Sequence, residues 1–218
     1  MAASFELKKQ QLFNMNTHTG TGSGRRGSFA ALVSIAAVAL ALPVLALGSD
    51  AAAVLDDFSD AAKSSSLGAD RFVINDSSVG GGSKMTQTLK DGVLSVEGEI
   101  IPGRGQPGWM SMVLLTSASG APTDLSEYEG IRIRIRVNKG NFSVSANSSE
   151  VVNFDYHAMP IPRTPDGFKE VRIPFKDMKR AWSEQTSLNP ATIVSISLVA
   201  ADLQKGTFSY DVDEVGYY

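Results

Sequence analysis

The sequence predicts an all-β protein, an antiparallel β-sandwich that begins at about residue 54 and continues to residue 218. From residue 54 onward, short alternating segments are separated by Gly, Pro, Asn and Asp, which is typical of a sandwich or barrel. The clearest segment is residues 131–137, where apolar residues and arginines alternate strictly in the two-residue period of a strand. A parallel α/β fold would need long amphipathic crossovers between its strands, and the pattern shows none.

The predicted strands follow one another with turn residues between them. Residues 85–89 and 93–97 flank Lys90-Asp91-Gly92, and an Asp-Gly pair between alternating segments is the strongest short signal for a β-hairpin. Further strands are predicted at residues 131–137, 142–146, 151–157, 168–175, 193–200 and 207–218. One short helix is predicted at about residues 176–182.

The two-residue period divides each predicted strand into a core face and a polar face. We expect one buried core that contains Ile133, Ile135, Phe154, Ile173, Phe175, Ile196 and Phe208. The candidate ligand-binding residues on the opposite face are Arg132, Arg134, Arg136, Asp155 and His157, with Trp109 as a stacking residue. Planar charged groups of both signs can bond sugar hydroxyls in pairs. The alternative interpretation is a solvated sheet face whose charges pair across strands.

Residues 1–48 have the order of a secretion signal. Arg25-Arg26 precedes an apolar run over residues 29–47, and small residues at Ala46 and Gly48 predict cleavage before Ser49. The run is also long enough to remain as an N-terminal membrane anchor. The true start is either Met1 or Met15. The sequence therefore predicts an exported protein, periplasmic or extracellular, that is membrane-bound only if this segment is not cleaved.

The composition excludes several functional classes. The chain has no cysteine, which removes disulfides, thiol catalysis and thiolate metal sites. Its net charge of −3 is unsuited to binding nucleic acid, whose phosphates demand a basic surface. Glycines 80–82 lack the Lys-Ser/Thr of a phosphate loop, so we predict a turn there. No GxSxG or HExxH motif occurs, and the chain is predicted not to be an enzyme.

Six segments in order resemble a known family. They are Leu55-Asp56-Asp57-Phe58, residues 75–83, residues 92–100, residues 124–134, residues 168–175 and residues 206–215. Over nearly all of residues 54–218 the chain resembles the complex I intermediate-associated protein 30 domain. Two departures are Val79-Gly80, where the family usually has Met before the paired glycines, and Asn138-Lys139-Gly140, where it usually has Gly-Asp-Gly.

The resemblance implies a galactose-binding-like jelly-roll sandwich, related to family-11 carbohydrate-binding modules. We therefore expect an exported, non-catalytic module of the cell envelope that binds a carbohydrate or a partner protein on its polar sheet face. The alternative is an assembly factor or chaperone for a membrane complex, as in the family's mitochondrial members. Mass spectrometry of the native N-terminus distinguishes the two, since Ser49 at that end indicates a free envelope protein.

No cofactor is predicted apart from a possible structural calcium. Sandwich modules of this kind often hold calcium by carboxylates of the first and last strands, which here are Asp57 and Asp213. Calcium takes six or more oxygen ligands, so backbone carbonyls would have to complete the site. A melting temperature that a chelator leaves unchanged would contradict this prediction.

Overall fold

The computed structural model describes residues 53–60 and 65–218, and these form twelve strands in two antiparallel sheets. In chain order the strands are β1 (Val54–Asp56), β2 (Arg71–Asn75), β3 (Lys84–Lys90), β4 (Val93–Ile100), β5 (Gly108–Leu115), β6 (Gly130–Lys139), β7 (Phe142–Ser148), β8 (His157–Ile161), β9 (Lys169–Pro174), β10 (Lys179–Arg180), β11 (Ile193–Asp202) and β12 (Gly206–Tyr217). The predicted signal at residues 1–48, its start site and its cleavage before Ser49 lie outside the described residues.

The first sheet has the strand order β3-β4-β12-β6-β9, and β1 also pairs with β12. Its hairpin joins β3 to β4 through Asp91 and Gly92, whose φ values are 52° and 76°. Positive φ at both central residues is what a type I′ turn requires, and this turn matches the twist of the strands. The hairpin predicted from the Asp-Gly pair is confirmed.

The second sheet has the strand order β10-β8-β7-β11-β5-β2. At its centre, β11 pairs with β5 from Ser195 opposite Leu115 to Asp202 opposite Gly108. Along these strands, apolar side chains that face the first sheet alternate with a mixture of serines and apolar residues that face away. The two sheets enclose one hydrophobic core, which confirms the predicted antiparallel sandwich.

The core contains six of the seven residues predicted for it: Ile133, Ile135, Ile173, Phe175, Ile196 and Phe208. The prediction for Phe154 is wrong, because this side chain is 51% exposed and its φ of 63° is left-handed. A strand cannot pass through that conformation. The predicted strand at residues 151–157 is consequently a loop up to residue 156, and β8 begins only at His157.

The predicted helix at residues 176–182 is also wrong. The chain there makes one 3₁₀ turn, Phe175–Asp177, and then enters the short strand β10. Phe175 and Met178 are both buried in the core, which holds the chain against the sandwich at the two ends of that turn. No helix in the described part of the chain is long and apolar enough to cross a membrane.

A buried ion pair explains the Leu55-Asp56-Asp57-Phe58 segment. The Asp56 side chain is fully buried, and its two carboxylate oxygens accept hydrogen bonds from Arg71 Nε at 2.7 Å and Nη2 at 2.8 Å. Asp56 Oδ1 also accepts from the backbone N–H of Phe58, whose ring lies 5.0 Å from the Arg71 guanidinium carbon. The pair thus connects β1 of the first sheet to β2 of the second.

A buried carboxylate likewise explains the glycines at residues 80–82. Asp76 accepts hydrogen bonds from Ser83 Oγ at 2.6 Å, from the Ser83 N–H at 3.1 Å and from the Trp109 N–H at 3.1 Å. A Cβ at Gly81 would overlap the Asp76 carboxyl group, so only glycine fits there. The segment is therefore a turn folded around its own aspartate, as predicted in preference to a phosphate loop.

Candidate ligand-binding faces

The arginines of β6 lie on the outer face of the first sheet, where each is paired with a carboxylate. Arg132 pairs with Glu214 and lies 3.7 Å from Glu170, Arg134 Nε lies 3.2 Å from Asp213, and Arg136 Nη2 lies 2.8 Å from Asp211. Arg134 and Arg136 also lie over the Phe168 ring, at 5.7 Å and 5.3 Å. The arrangement is a cross-strand ladder of compensating charges, which we call the arginine ladder.

Asp211 is the carboxylate of this ladder that accepts several hydrogen bonds. It accepts hydrogen bonds from Ser95 Oγ at 2.6 Å, Arg136 Nε at 3.0 Å and Asn138 Nδ2 at 2.9 Å. Burial raises the pKa of Asp211, but these hydrogen bonds lower it more, so that the net shift is downward. A ligand would have to displace existing protein contacts to use these groups.

The structure does not bring the predicted polar residues onto one face, so that part of the site prediction is wrong. Arg132, Arg134 and Arg136 belong to the first sheet, whereas His157 begins β8 in the second sheet. Asp155 lies in the loop before β8. The period of a strand assigns side chains to faces, but it does not say which strands are neighbours.

Asp155 is buried in a loop network of its own. Its carboxylate accepts hydrogen bonds from Arg180 Nε at 2.9 Å, from the N–H groups of Ala181 and Ser183 at 3.0 Å each, and from Ser183 Oγ. Burial raises the pKa of Asp155, but the hydrogen bonds from Ser183 and Arg180 outweigh it and hold the pKa well below its usual range. Asp155 thus fastens the loop before β8 to the loop after β10.

This network should make the fold acid-sensitive. The folded-state pKa of Asp155 is depressed, so its stabilisation is present above the unfolded pKa of about 3.9 and is lost as the pH falls toward the folded value. We expect the difference in free energy of unfolding between the wild type and Asp155→Asn to be largest above about pH 5 and to shrink below about pH 4. Urea melts across this range measure it. Asp166→Asn, at an exposed position, is the control. If the difference in free energy of unfolding between the wild type and Asp155→Asn did not change with pH, the depressed pKa would not belong to Asp155.

His157 is not available to a ligand. It is 2% exposed, shares a face with the core residue Ala146 on β7, and its Nε2 lies 2.8 Å from the Thr186 carbonyl oxygen, to which it donates. Its Nδ1 is buried and makes no hydrogen bond. His157 therefore positions the loop after β10 and does not contribute to a polar surface.

The outer face of the second sheet carries hydroxyl and amide groups in place of charges. The residues that form it, which we call the serine floor, are Ser111, Ser143, Ser145, Asn147, Ser195 and Ser197. Asn147 Nδ2 donates to Ser195 Oγ and to Ser197 Oγ, both at 2.9 Å. Sequence reasoning selected none of these residues as ligand-binding, although the alternation of serine with apolar residues in β7 and β11 was a visible signal.

The serine floor is recessed. Ser111, Ser145, Ser195 and Ser197 face away from the core, yet each is 5% exposed or less. Larger residues of β2, β5 and β11 share this face: Phe72, Trp109, Val113, Leu115 and Val199. Because small side chains become inaccessible when larger neighbours rise around them, the face is a trough. Phe72 on the edge strand β2 and Trp109 near the start of β5 form its apolar border, whereas Val113 and Val199 lie among the serines. Trp109, the predicted stacking residue, is half-buried opposite Ala201 in this border.

The two carboxylates predicted to bind calcium have separate protein partners. Asp57 Oδ1 accepts from the Ser59 N–H at 3.1 Å and from Ser59 Oγ and Ser66 Oγ at 2.7 Å and 2.9 Å, whereas Asp213 faces Arg134. Within residues 53–60 and 65–218, no group of three or more His, Cys, Asp or Glu could hold a metal ion. The Arg134 guanidinium, a cation 3.2 Å from Asp213, does not fit a calcium ion at that carboxylate. The calcium prediction remains untested.

The fold and these two faces place the chain in the class of antiparallel β-sandwich modules. The model of the complex I intermediate-associated protein 30 family matches residues 58–212, and the chain belongs to that family. The resemblance predicted from the six sequence segments is confirmed. A search of curated proteins found no match.

Several solved structures share the fold. A family-11 carbohydrate-binding module from Clostridium thermocellum, solved with a β-1,3-1,4-mixed-linked tetrasaccharide, is 18% identical with a TM-score of 0.52, covering 76% of this chain and 94% of that one. The family-11 module of the cellulase Lic26A-Cel5E of the same organism is 17% identical with a TM-score of 0.50, covering 75% and 92%. The agarase AgWH50C is 10% identical with a TM-score of 0.51, and 77% of this chain matches 24% of it. At these identities the likeness concerns the fold alone.

Proposed function

We propose that this chain is a non-catalytic binding module that holds a carbohydrate in the trough of its second sheet. The observation that carries the proposal is the serine floor, an uncharged row of hydroxyl and amide groups with an apolar border that includes Trp109 and Phe72. A neutral sugar presents hydroxyl groups at its edges and C–H groups on its ring faces. Ser143 and Asn147, the two half-buried residues of the floor, offer hydrogen-bonding partners for the first, and Trp109 and Phe72 offer an aromatic surface for the second.

The contrast between the two outer faces supports this choice. On the first sheet, Arg132, Arg134 and Arg136 already have carboxylate partners, so a neutral ligand would gain little from them. On the second sheet, the floor side chains bond one another through Asn147, which donates to Ser195 and Ser197, and none of them carries a charge. The carbohydrate-binding modules with the same fold make a sugar a chemically reasonable ligand for such a trough.

The second candidate function is an assembly factor for a membrane complex. The observation in its favour is the family match over residues 58–212, because the family is described by its association with an intermediate of complex I. For this role the same trough would accept a segment of a partner protein. Export to the cell envelope, which rests on residues 1–48, belongs to the carbohydrate proposal and is tested by the native N-terminus.

Paired variants on the two sheets test the location of the site. A panel of immobilised neutral glycans identifies a ligand, and calorimetry then compares Trp109→Ala with Arg134→Ala. We expect Trp109→Ala to weaken binding about tenfold, since loss of an aromatic contact costs about 0.5–1.5 kcal/mol beyond its buried area. We expect Arg134→Ala to bind like the wild type, because its partner is Asp213.

The reverse result would move the site to the arginine ladder. Arg134→Ala would then weaken binding by about 1–3 kcal/mol through the polar groups left without a partner. Melting curves of both variants confirm that the fold is intact. A wild-type protein that binds no glycan on the panel, but is recovered with a membrane complex, would favour the assembly function instead.

A further inference from the structure

Three aromatic residues come from two loops that meet at the β10 edge of the second sheet, outside the trough. Phe154 and Tyr156 come from the loop before β8, and Trp182 comes from the loop after β10. Trp182 is 61% exposed and Phe154 is 51% exposed, although aromatic side chains of this size normally contribute to a core. We call these three residues the aromatic edge.

The aromatic edge is held rigidly. Tyr156 and Trp182 pack edge to face, with ring centroids 5.2 Å apart and an interplanar angle of 87°. Beneath them, the buried Asp155 carboxylate ties Arg180, Ala181 and Ser183 to the other loop. The backbone of both loops is therefore fixed before any ligand arrives, which reduces the entropy lost on binding.

Phe154 adds a second sign that this edge is built to present its rings. Its φ of 63° is left-handed, a strained conformation for a residue other than glycine. The flanking residues maintain it, because Asn153 Oδ1 accepts from Arg180 Nη2 at 2.9 Å and Asp155 accepts from Arg180 Nε. This strain brings no core packing, since half of the side chain is exposed. Its effect is to turn the ring outward.

The network that holds the rings is polar and its charges are compensated. The charges of Asp155 and Arg180 compensate each other, and their side chains are 0% and 9% exposed. The other members of the network are the amides of Asn153 and Gln185 and the hydroxyl of Ser183. Lys179 and Glu184, both exposed, add one charge of each sign to the same segment. An open ring face beside neutral hydrogen-bonding groups fits the apolar face and hydroxyl rim of a pyranose ring.

The position of the aromatic edge relates it to the trough. On the outer face, Lys179 of β10 pairs with Ala158 of β8, and Ala158 pairs with Ser145 on the serine floor. Two strand spacings, roughly 10 Å, therefore separate β7 from β10. We propose that the aromatic edge is a second carbohydrate subsite, which stacks on a sugar ring of a chain that already occupies the trough. This inference rests on the proposed function and deepens it.

The experiment compares a long glycan with its tetrasaccharide. The polysaccharide bound most tightly on the panel and the tetrasaccharide cut from it are titrated into the wild type and Trp182→Ala. We expect Trp182→Ala to lose about tenfold in affinity for the polysaccharide and to bind the tetrasaccharide like the wild type. Trp182→Phe should recover most of the loss, and Leu67→Ala, at an exposed apolar residue in the turn before β2, should change neither affinity.

Oxidation by N-bromosuccinimide, read out by peptide mass spectrometry, locates the contact without a variant. The chain has two tryptophans, and we expect the polysaccharide to protect both, whereas the tetrasaccharide protects Trp109 alone. Normal polysaccharide binding by Trp182→Ala with Trp182 unprotected would overturn the second subsite and leave the trough standing. If Trp182 became protected when the protein concentration was raised without glycan, the aromatic edge would be a self-association surface, and the second subsite would also be overturned. A wild type that binds no glycan overturns both proposals.

Discussion

Replacing Asp56 with alanine is expected to lower the free energy of unfolding by about 3–5 kcal/mol, the usual cost of removing one partner of a buried ion pair. The Asp56 side chain is fully buried and the Arg71 side chain is 6% exposed, so the guanidinium would lose its carboxylate in a site that water reaches poorly. The change also removes the acceptor for the Phe58 N–H. Urea unfolding of the two proteins measures the difference.

A matched double variant separates the cost of leaving the Arg71 charge unpaired from the cost of lost packing at Asp56. In Asp56→Ala/Arg71→Met no charge is left without its partner, and we expect the double variant to recover part of the stability lost by the single one. Surface ion pairs give the baseline, because Glu99 lies 3.9 Å from Lys84 and 3.2 Å from Lys205, and Glu99→Ala should cost about 1 kcal/mol or less. If Asp56→Ala were no worse than Glu99→Ala, the ion pair would not connect the two sheets energetically.

Local pattern predicted the strands well where the backbone is regular. Residues 131–137 alternate strictly, and β6 buries Ile131, Ile133, Ile135 and Val137 while its arginines face outward. Residues 151–157 also alternate, yet Asn153 accepts a hydrogen bond from Arg180 of β10 and Asp155 accepts one from the loop after β10, in place of extending a strand. Asn and Asp commonly replace regular backbone pairing with side-chain bonds of this kind. Alternation alone could not distinguish the two segments.

The candidate site was less predictable than the fold, because a site depends on which strands are neighbours. β6 lies between β12 and β9, so Arg136 meets Asp211 from a strand 75 residues further along the chain. Nothing in the period of β6 specifies that partner. The serine floor likewise depends on β7, β11 and β5 being adjacent, a pairing order that follows from the topology of the whole sandwich. Trp109 was assigned from its own chemistry, and it is the one predicted ligand-binding residue that lies in the trough.

Ile133→Ala is expected to destabilise the protein by about 2–5 kcal/mol, the range for truncating a buried aliphatic side chain to alanine. Ile133 is fully buried at the centre of β6, opposite Val171 of β9 and Val215 of β12, so neighbouring strands on both sides limit how far the cavity can close. Ile133→Val removes one methylene from the same position and should cost only about 0.5–1.5 kcal/mol. Arg134→Ala, one residue along the strand on the outer face, should cost about 1 kcal/mol or less, because its ion pair is partly exposed. Denaturant midpoints that ranked Arg134→Ala above Ile133→Ala would mean that β6 turns its isoleucines outward, which would reverse the register on which both outer faces depend.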